Sequence, residues 1–280
     1  MTSSLFSEDD SGLAGKVAIV TGSGAIDDGI GNGRAAAILL ARAGTHVMVV
    51  DREQAAAART VEMIAAEGGT ADVCVADLAD EADCAAMVKA TLDRFGRLDF
   101  LDNNVGIARR NTVVEEDTEG WQRVMQVNVE TMFLASKHAI PAMLASAGGG
   151  AIVNISSISA LMPRGLTAYA ASKGAVISLT KAMAVDHGVD GIRVNCISPG
   201  VVYTPMVYSA RSGDTTSGMT DEQREARRNA SLLKIEGTGW DIGRAARFLF
   251  SDEARYITGV NLVVDGGALL VSPPRGAGSR

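Results

Sequence analysis

Residues 16–37 read KVAIVTGSGAIDDGIGNGRAAA. An apolar run rich in Val and Ile leads into Gly22, Gly24, Gly29, Gly31 and Gly33, and then into an alanine-rich stretch. β-Branched residues favour a strand and alanines favour a helix. Glycines at such a junction permit a tight turn and a close backbone approach to a pyrophosphate, which then rests on the N-terminus of the following helix. Asp51 ends the next apolar run, HVMVVD, about 20 residues after Gly31, the spacing of an acid that accepts from an adenine ribose. A carboxylate there accepts from a free 2′-hydroxyl and repels a 2′-phosphate, so NAD is the expected cofactor and NADP the less favoured one. Arg52 could instead receive the extra phosphate, or simply open a helix in solvent. Asp77 and Leu78, at the end of ADVCVAD, stand where a third strand would meet the adenine; Asp77 could equally cap the next helix.

Outward from this loop the same rhythm repeats. ADVCVAD, LDFLDNNVG, AIVNISS, IRVNCISPG and NLVVDGG read as further strands, mostly as continuous apolar runs. Such runs suit a parallel sheet covered on both faces. Between them lie helical patterns such as EQAAAARTVEMIAAEGG and EADCAAMVKATLDRFG, with Gly44, Gly68 and Gly96 as helix stops. The expected fold is α/β: a Rossmann-type doubly wound parallel sheet of about seven strands with helices on both faces. Ligands of such sheets bind at the carboxyl ends of the strands. No internal linker divides the chain. The expected organisation is a flexible extension over residues 1–12, one domain over 13–270 and a tail over 271–280. An irregular segment over about 204–236, rich in Ser, Gly, Thr and charge, reads as a substrate loop.

Composition narrows the partners. The formal net charge is −7 and no Lys/Arg block occurs, which argues against nucleic acid. Cys74, Cys84 and Cys196 are scattered, as in a reducing compartment, and a cytoplasmic location is expected. The start lacks a signal-like apolar stretch, and no apolar run is long enough to cross a bilayer. His46, His138 and His187 stand apart, so no metal is expected.

Chemistry is concentrated in TAYAASKGAV, where Tyr169 and Lys173 are four residues apart. On a helix that spacing puts both on one face. A neighbouring ammonium favours the phenolate, which predicts a lowered Tyr pKa and a usable proton carrier near neutral pH.

With these residues on one chain, the sequence resembles the short-chain dehydrogenase/reductase family over nearly its whole length. Thr21, Gly22 and Gly29-Ile30-Gly31 look like the family's TGxxxGxG loop, and Asn103-Asn104-Val105-Gly106 like its NNAG. Asn128 in VMQVNVETMF matches its active-site Asn. Ser157, with Ser156 as the alternative, joins Tyr169 and Lys173 as its catalytic set. Pro199-Gly200, followed by Val202 and Thr204, matches its PG motif and nicotinamide contacts. One departure is plain: six residues, Ser23 to Asp28, separate Gly22 from the next GxG where the family has three, and Asn32-Gly33 lengthen the turn further. Asp27 and Asp28 are expected to point away from the phosphates.

The resemblance implies hydride transfer between a nicotinamide and a secondary alcohol or ketone. Tyr169 is then the general acid/base. Lys173 lowers its pKa and binds the nicotinamide ribose, and Ser157 holds the substrate oxygen. Asn128 holds a water near Lys173 in a proton path. Asn104, Val105 and Gly106 line the adenosine side. The substrate is a small molecule with an apolar pocket, for which Ile158, Leu161, Met162, Tyr203, Met206, Tyr208 and Met219 are candidates. Arg109, Arg110 and Arg164 stand at the rim. Relatives of this kind form homotetramers through the helices carrying Asn128 and Tyr169. Two other readings stay open: an NADPH-dependent 3-oxoacyl-thioester reductase, against which Asp51 speaks, and a nucleotide-sensing protein without turnover.

Overall fold

The computed structural model describes residues 11–163, 165–208 and 219–271. Arg164, the middle of the 204–236 segment and nearly all of both expected terminal extensions lie outside these residues. The strand β1 (Val17–Thr21) is buried along its whole length, as its unbroken apolar run requires. It is followed by α1 (Asn32–Arg42), β2 (His46–Asp51), α2 (Gln54–Ala66), β3 (Ala71–Val75), α3 (Glu81–Phe95) and β4 (Phe100–Asn103). The second half continues with α4 (Thr118–Met125), α5 (Thr131–Ala147), β5 (Gly150–Ile155), α6 (Thr167–His187) and β6 (Ile192–Pro199). Two-residue β7 (Val202–Tyr203), α7 (Pro205–Tyr208), α8 (Asp221–Asn229), two-residue β8 (Gly237–Thr238), α9 (Gly239–Phe250) and β9 (Asn261–Val264) complete it.

Seven strands form one sheet in the order β3-β2-β1-β4-β5-β6-β9, and every pair is parallel. The expected doubly wound sheet is therefore present, and each strand read from sequence takes its place in it. The short β7–β8 pair, which the sequence reading did not contain, forms a separate sheet. One core lies between the sheet and α1, α2 and α9, with Val20, Leu40, Val49, Phe100 and Phe250 at its centre. The other lies under α3, α5 and α6, around Ile19, Met87, Leu101, Met143 and Ile152. Each such fully buried side chain contributes about 1.5–3 kcal/mol of transfer free energy. Helix ends follow their sequence signals: Gly44, Gly68 and Gly96 all have φ near +80°, the left-handed conformation that stops a helix. The cap of α3 is Asp80, whose carboxylate accepts from Ala82 N–H, and not Asp77.

The strand order reverses between β1 and β4, so their carboxyl ends diverge into a crevice. Gly22 follows β1, and a Cβ there would lie 3.3 Å from the Val105 side chain. The helix carrying Asn128 is not regular. Gln126–Glu130 forms a π turn between α4 and α5, closed by Thr131 N–H donating to the Gln126 carbonyl. Such single-turn bulges gather at functional sites.

Candidate active site

A cleft of about 230 Å³ opens at the crevice, lined by Gly22, Asp51, Arg52, Asp77, Leu78, Asn104, Val105 and Gly106 among others. These eight are residues singled out from the sequence for a dinucleotide. Val50, Ala76, Ile107, Arg123, Val127, Thr131 and Met206 also line it; sequence reasoning missed all of these for the cofactor, although Val127 and Thr131 flank Asn128 and Met206 stood among the substrate candidates. Asp51 Oδ2 accepts from Gly24 N–H at 3.0 Å and Oδ1 from Glu53 N–H at 3.1 Å. A carboxylate has about four lone-pair sites, so two backbone donors leave capacity for ribose hydroxyls. Asp27 and Asp28 are exposed, and Asp28 pairs with Arg59 at 2.6 Å, in keeping with their expected outward direction.

Gly29 sits under α7: a Cβ there would meet Pro205 Cγ at 2.7 Å and Tyr208 Oη at 2.8 Å. Tyr208, read as a substrate-pocket residue, thus packs on the glycine loop and on Tyr203, whose ring centroid is 4.7 Å away. Ile30 and Gly31 lead into α1. Pro199 ends β6, and Gly200 N–H donates to the Val264 carbonyl at 2.9 Å. Val202 N–H bonds back to the Gly200 carbonyl, and Thr204 is buried beyond it. Of the remaining pocket candidates Ile158 is buried, whereas Leu161 and Met206 are well exposed.

The reactive side chains gather at the end of β5. Lys173 is buried on α6 and donates from Nζ to the Ile155 carbonyl at 2.8 Å. Its Nζ stands 5.8 Å from the centre of the Tyr169 ring, as the four-residue spacing predicts. The Ser157 hydroxyl lies close enough to Tyr169 to act on its phenol, and its Oγ accepts from Ser159 N–H at 3.1 Å. Ser156 is spent otherwise: its Oγ donates to the Lys173 carbonyl at 2.7 Å. The two serines therefore stand in different surroundings. Gly106 connects this group to the cleft, for a Cβ there would lie 3.2 Å from Lys173 Nζ and 3.3 Å from Asn128 Oδ1. A side chain there would crowd both groups.

Asn128 is wholly buried on the π turn. Its Oδ1 accepts from Ile107 N–H at 2.8 Å, and its Nδ2 donates to the Ile107 carbonyl and to Ser172 Oγ, both at 2.9 Å. The amide thus ties the loop after β4 to α6. Its donors are taken by protein groups, which differs from the water-holding side chain expected from sequence.

The electrostatics depart from expectation as well. Burial pushes the Tyr169 phenol above its ordinary pKa, and the nearby Ser157 hydroxyl pulls it partly back. Burial also pushes the Lys173 ammonium down to about 8. The expected lowering of the phenol by its lysine is not found: burial dominates, because both groups sit where water cannot solvate their charged forms. A third group was not anticipated. Asp102 on β4 is fully buried, and burial raises its carboxyl to about 7. Neither of its oxygens meets hydrogen-bond geometry among the described residues, although nearby Asn104 slightly counters the shift.

Among the described residues no group of His, Cys, Asp and Glu could hold a metal ion, and no helix is long and apolar enough to cross a membrane. The residues present do fit a dinucleotide: eight of the fifteen residues lining the cleft belong to the predicted set, a side chain at Gly106 would crowd Lys173 and Asn128, and the buried Asn104 amide beside it has neither Nδ2 nor Oδ1 hydrogen-bonded among the described residues.

Comparison with known proteins agrees. Residues 24–268 match the family model described as enoyl-(acyl carrier protein) reductase. The chain is 36% identical over 258 residues to cyclohexanol dehydrogenase of Acinetobacter sp. (strain SE19), covering 90% of this chain and 94% of that protein. It is 37% identical over 262 residues to (+)-borneol dehydrogenase 2 of Salvia officinalis, covering 91% and 89%. A solved structure of 7α-hydroxysteroid dehydrogenase complexed with NADH and 7-oxo glycochenodeoxycholic acid superposes with a TM-score of 0.83 at 33% identity, covering 94% of this chain and 98% of that one. With the sheet order, the glycine loop and the Ser-Tyr-Lys group on one chain, these likenesses show that the protein belongs to the short-chain dehydrogenase/reductase family.

Proposed function

We propose that this short-chain oxidoreductase uses NAD to interconvert a secondary alcohol and its ketone, with Tyr169 carrying the proton. The observation that carries the reading is the meeting of Ser157, Tyr169 and Lys173 at the end of β5, next to Gly106 in the floor of the cleft. When bound, the nicotinamide accepts or supplies the hydride at the carbinol carbon. Every other task falls to the chain. Ser157 hydrogen-bonds the substrate oxygen and steadies the charge that develops on it. Tyr169 takes the hydroxyl proton in oxidation and returns one in reduction. Lys173 carries positive charge beside the phenol and holds the nicotinamide ribose. Asn128 is a positioning residue, since its amide fixes the Ile107 backbone against α6. Gly22, Gly29, Ile30 and Gly31 receive the pyrophosphate, and Asp51 takes the adenine ribose. Arg52, Asp77, Leu78, Asn104 and Val105 enclose the adenosine, while Pro199, Gly200, Val202 and Thr204 border the nicotinamide.

Asp51 favours NAD, because its carboxylate repels a 2′-phosphate and no cation among the described residues is bonded to it. The names of the relatives, dehydrogenases of cyclohexanol and borneol, support a compact apolar secondary alcohol. Buried Ile158 beside Ser157 supports the same class. The exposed face of α4 and α5, with Trp121 and Phe133 beside Leu179 of α6, supports a homotetramer joined through these helices, which light scattering would test. The protein is expected to act in the cytoplasm on a small molecule.

The test is a panel of cyclic and linear secondary alcohols with NAD and with NADP, followed at the absorbance of the reduced cofactor. Turnover with NAD is the expected result. A folded protein that binds neither dinucleotide and oxidises none of the panel would sink the proposal.

A further inference from the structure

Arg34, in the first turn of α1, is the largest of the fully buried side chains. Arginine is almost never wholly buried unless a carboxylate pairs with it. Here each of the five guanidinium N–H donors meets a neutral oxygen. Nη1 donates to the carbonyls of Asp27 at 2.6 Å and Gly29 at 2.8 Å, and Nη2 to those of Ala25 at 3.0 Å and Ala56 at 3.1 Å. Nε donates to Thr60 Oγ1 at 2.9 Å, and Thr60 in turn donates to the Ser23 carbonyl at 2.8 Å. The carboxylate of Asp28 turns to Arg59 instead.

Three of these oxygens belong to Asp27, Gly29 and Ala25, in or directly after the insert Ser23–Asp28 that makes this loop longer than the family pattern. A longer loop loses more entropy on ordering and has more ways to fold into its own mouth. Asp27 even holds a left-handed backbone, φ +46°, which only short polar residues and glycine adopt readily. A guanidinium that gathers three carbonyls offsets that cost. It also turns carbonyl dipoles inward, away from the place where an anion must sit. The other side of the insert is tied to the ribose acid, through Gly24 N–H on Asp51.

We propose that Arg34 is a positioning residue for the dinucleotide: its guanidinium latches the insert Ser23–Asp28 in the shape that admits the adenosine diphosphate half. This rests on the reading that the loop receives a nicotinamide dinucleotide. The latch touches no reacting atom, so its loss weakens binding and spares the chemical step.

The test uses calorimetric titration of the full chain with NAD and with ADP-ribose, together with backbone amide exchange of the free protein. Arg34→Met should weaken both ligands by the same factor, about tenfold to a hundredfold, as for one or two lost charge-assisted hydrogen bonds. Exchange should quicken at residues 23–29 and stay unchanged in β1, β4 and β5. At saturating NAD, kcat should remain within about twofold, with the KM for NAD raised and that for the alcohol unmoved. Arg34→Lys should not rescue, because one ammonium cannot reach acceptors spread around a planar fork. Arg59→Gln should leave both affinities unchanged. Wild-type affinity in a folded Arg34→Met protein overturns the latch, and so does a gain in exchange spread evenly over the chain. Should Arg34→Met not fold, Thr60→Val decides: a several-fold loss of both ligands supports the latch, and unchanged binding overturns it. If the wild type itself binds neither ligand, the functional reading falls and takes the latch with it, whereas equal binding by wild type and variants removes the latch alone.

Discussion

The two ends of the cleft are built on opposite principles. At the adenosine end the charged groups of the loop are answered: Arg34 uses five donors on five oxygens, and Asp51 accepts from two backbone N–H groups. At the reactive end the charged forms are deliberately short of company. Burial raises the Tyr169 phenol and lowers the Lys173 ammonium to about 8. A satisfied network gives shape and little reactivity, because moving any proton in it costs a hydrogen bond. At the reactive end burial disfavours both charged forms, so the state of each group is set by its surroundings rather than by a fixed set of partners.

This contrast can be broken at the reactive end first. Tyr169→Phe removes only the proton-carrying oxygen, so kcat should fall by about a thousandfold or more while NAD affinity by titration stays within about twofold. Because burial raises the phenol, alcohol oxidation should accelerate as pH climbs above neutrality and ketone reduction should not; a flat oxidation profile from neutral to alkaline pH would contradict the assignment. At the adenosine end, Asp51→Asn should raise the kcat/KM ratio of NADP to NAD by about tenfold or more, since a like-charge repulsion is removed without loss of a side-chain acceptor. Steady-state kinetics with both cofactors measures it.

A further expected effect lies between the two ends and concerns stability. Asp102 titrates near 7 when folded and near 4 when unfolded. Below both values it is neutral in each state and indifferent. As pH rises between them, only the unfolded chain ionises, so folding loses up to about 1.4 kcal/mol per pH unit over that window. Asp102→Asn should therefore gain denaturant stability relative to wild type at pH 8 and much less at pH 4. Equal differences at both pH values would show that the carboxyl ionises normally.

What the sequence disclosed follows from which forces are local. The sheet was legible because β1, β2 and β5 are continuous apolar runs and a parallel strand buried on both faces has no other pattern. The eight predicted residues found around the cleft were legible for the same reason, since each stands at a strand end. What stayed hidden depends on distant neighbours. Arg34 reads as an ordinary helix arginine until α2 supplies Ala56 and Thr60. Asp102 reads as a polar position in LDFLDNNVG, and only the tertiary fold closes both faces over it. Tyr208 looked like a pocket residue because its spacing says nothing about the turn that lays α7 on Gly29. The sign of the Tyr169 shift was missed for a similar cause: spacing reports that a cation is near, and not how dry the site is.

The π turn at Gln126–Glu130 carries a genetic consequence. A π turn spends one residue more on a turn than an α-helix does, so removing one residue here would let the segment close into an unbroken α-helix with α4 and α5 keeping roughly their present faces. The loss would fall on the placement of Asn128 and on the bonds that tie Ile107 to α6. A single-codon deletion within Gln126–Glu130 should therefore leave a folded chain with an impaired site, whereas the same deletion inside α5 turns its buried residues by about 100° and should cost the fold. Reading-frame-preserving deletions scanned along residues 118–147, scored for soluble yield and for turnover, would separate the two outcomes.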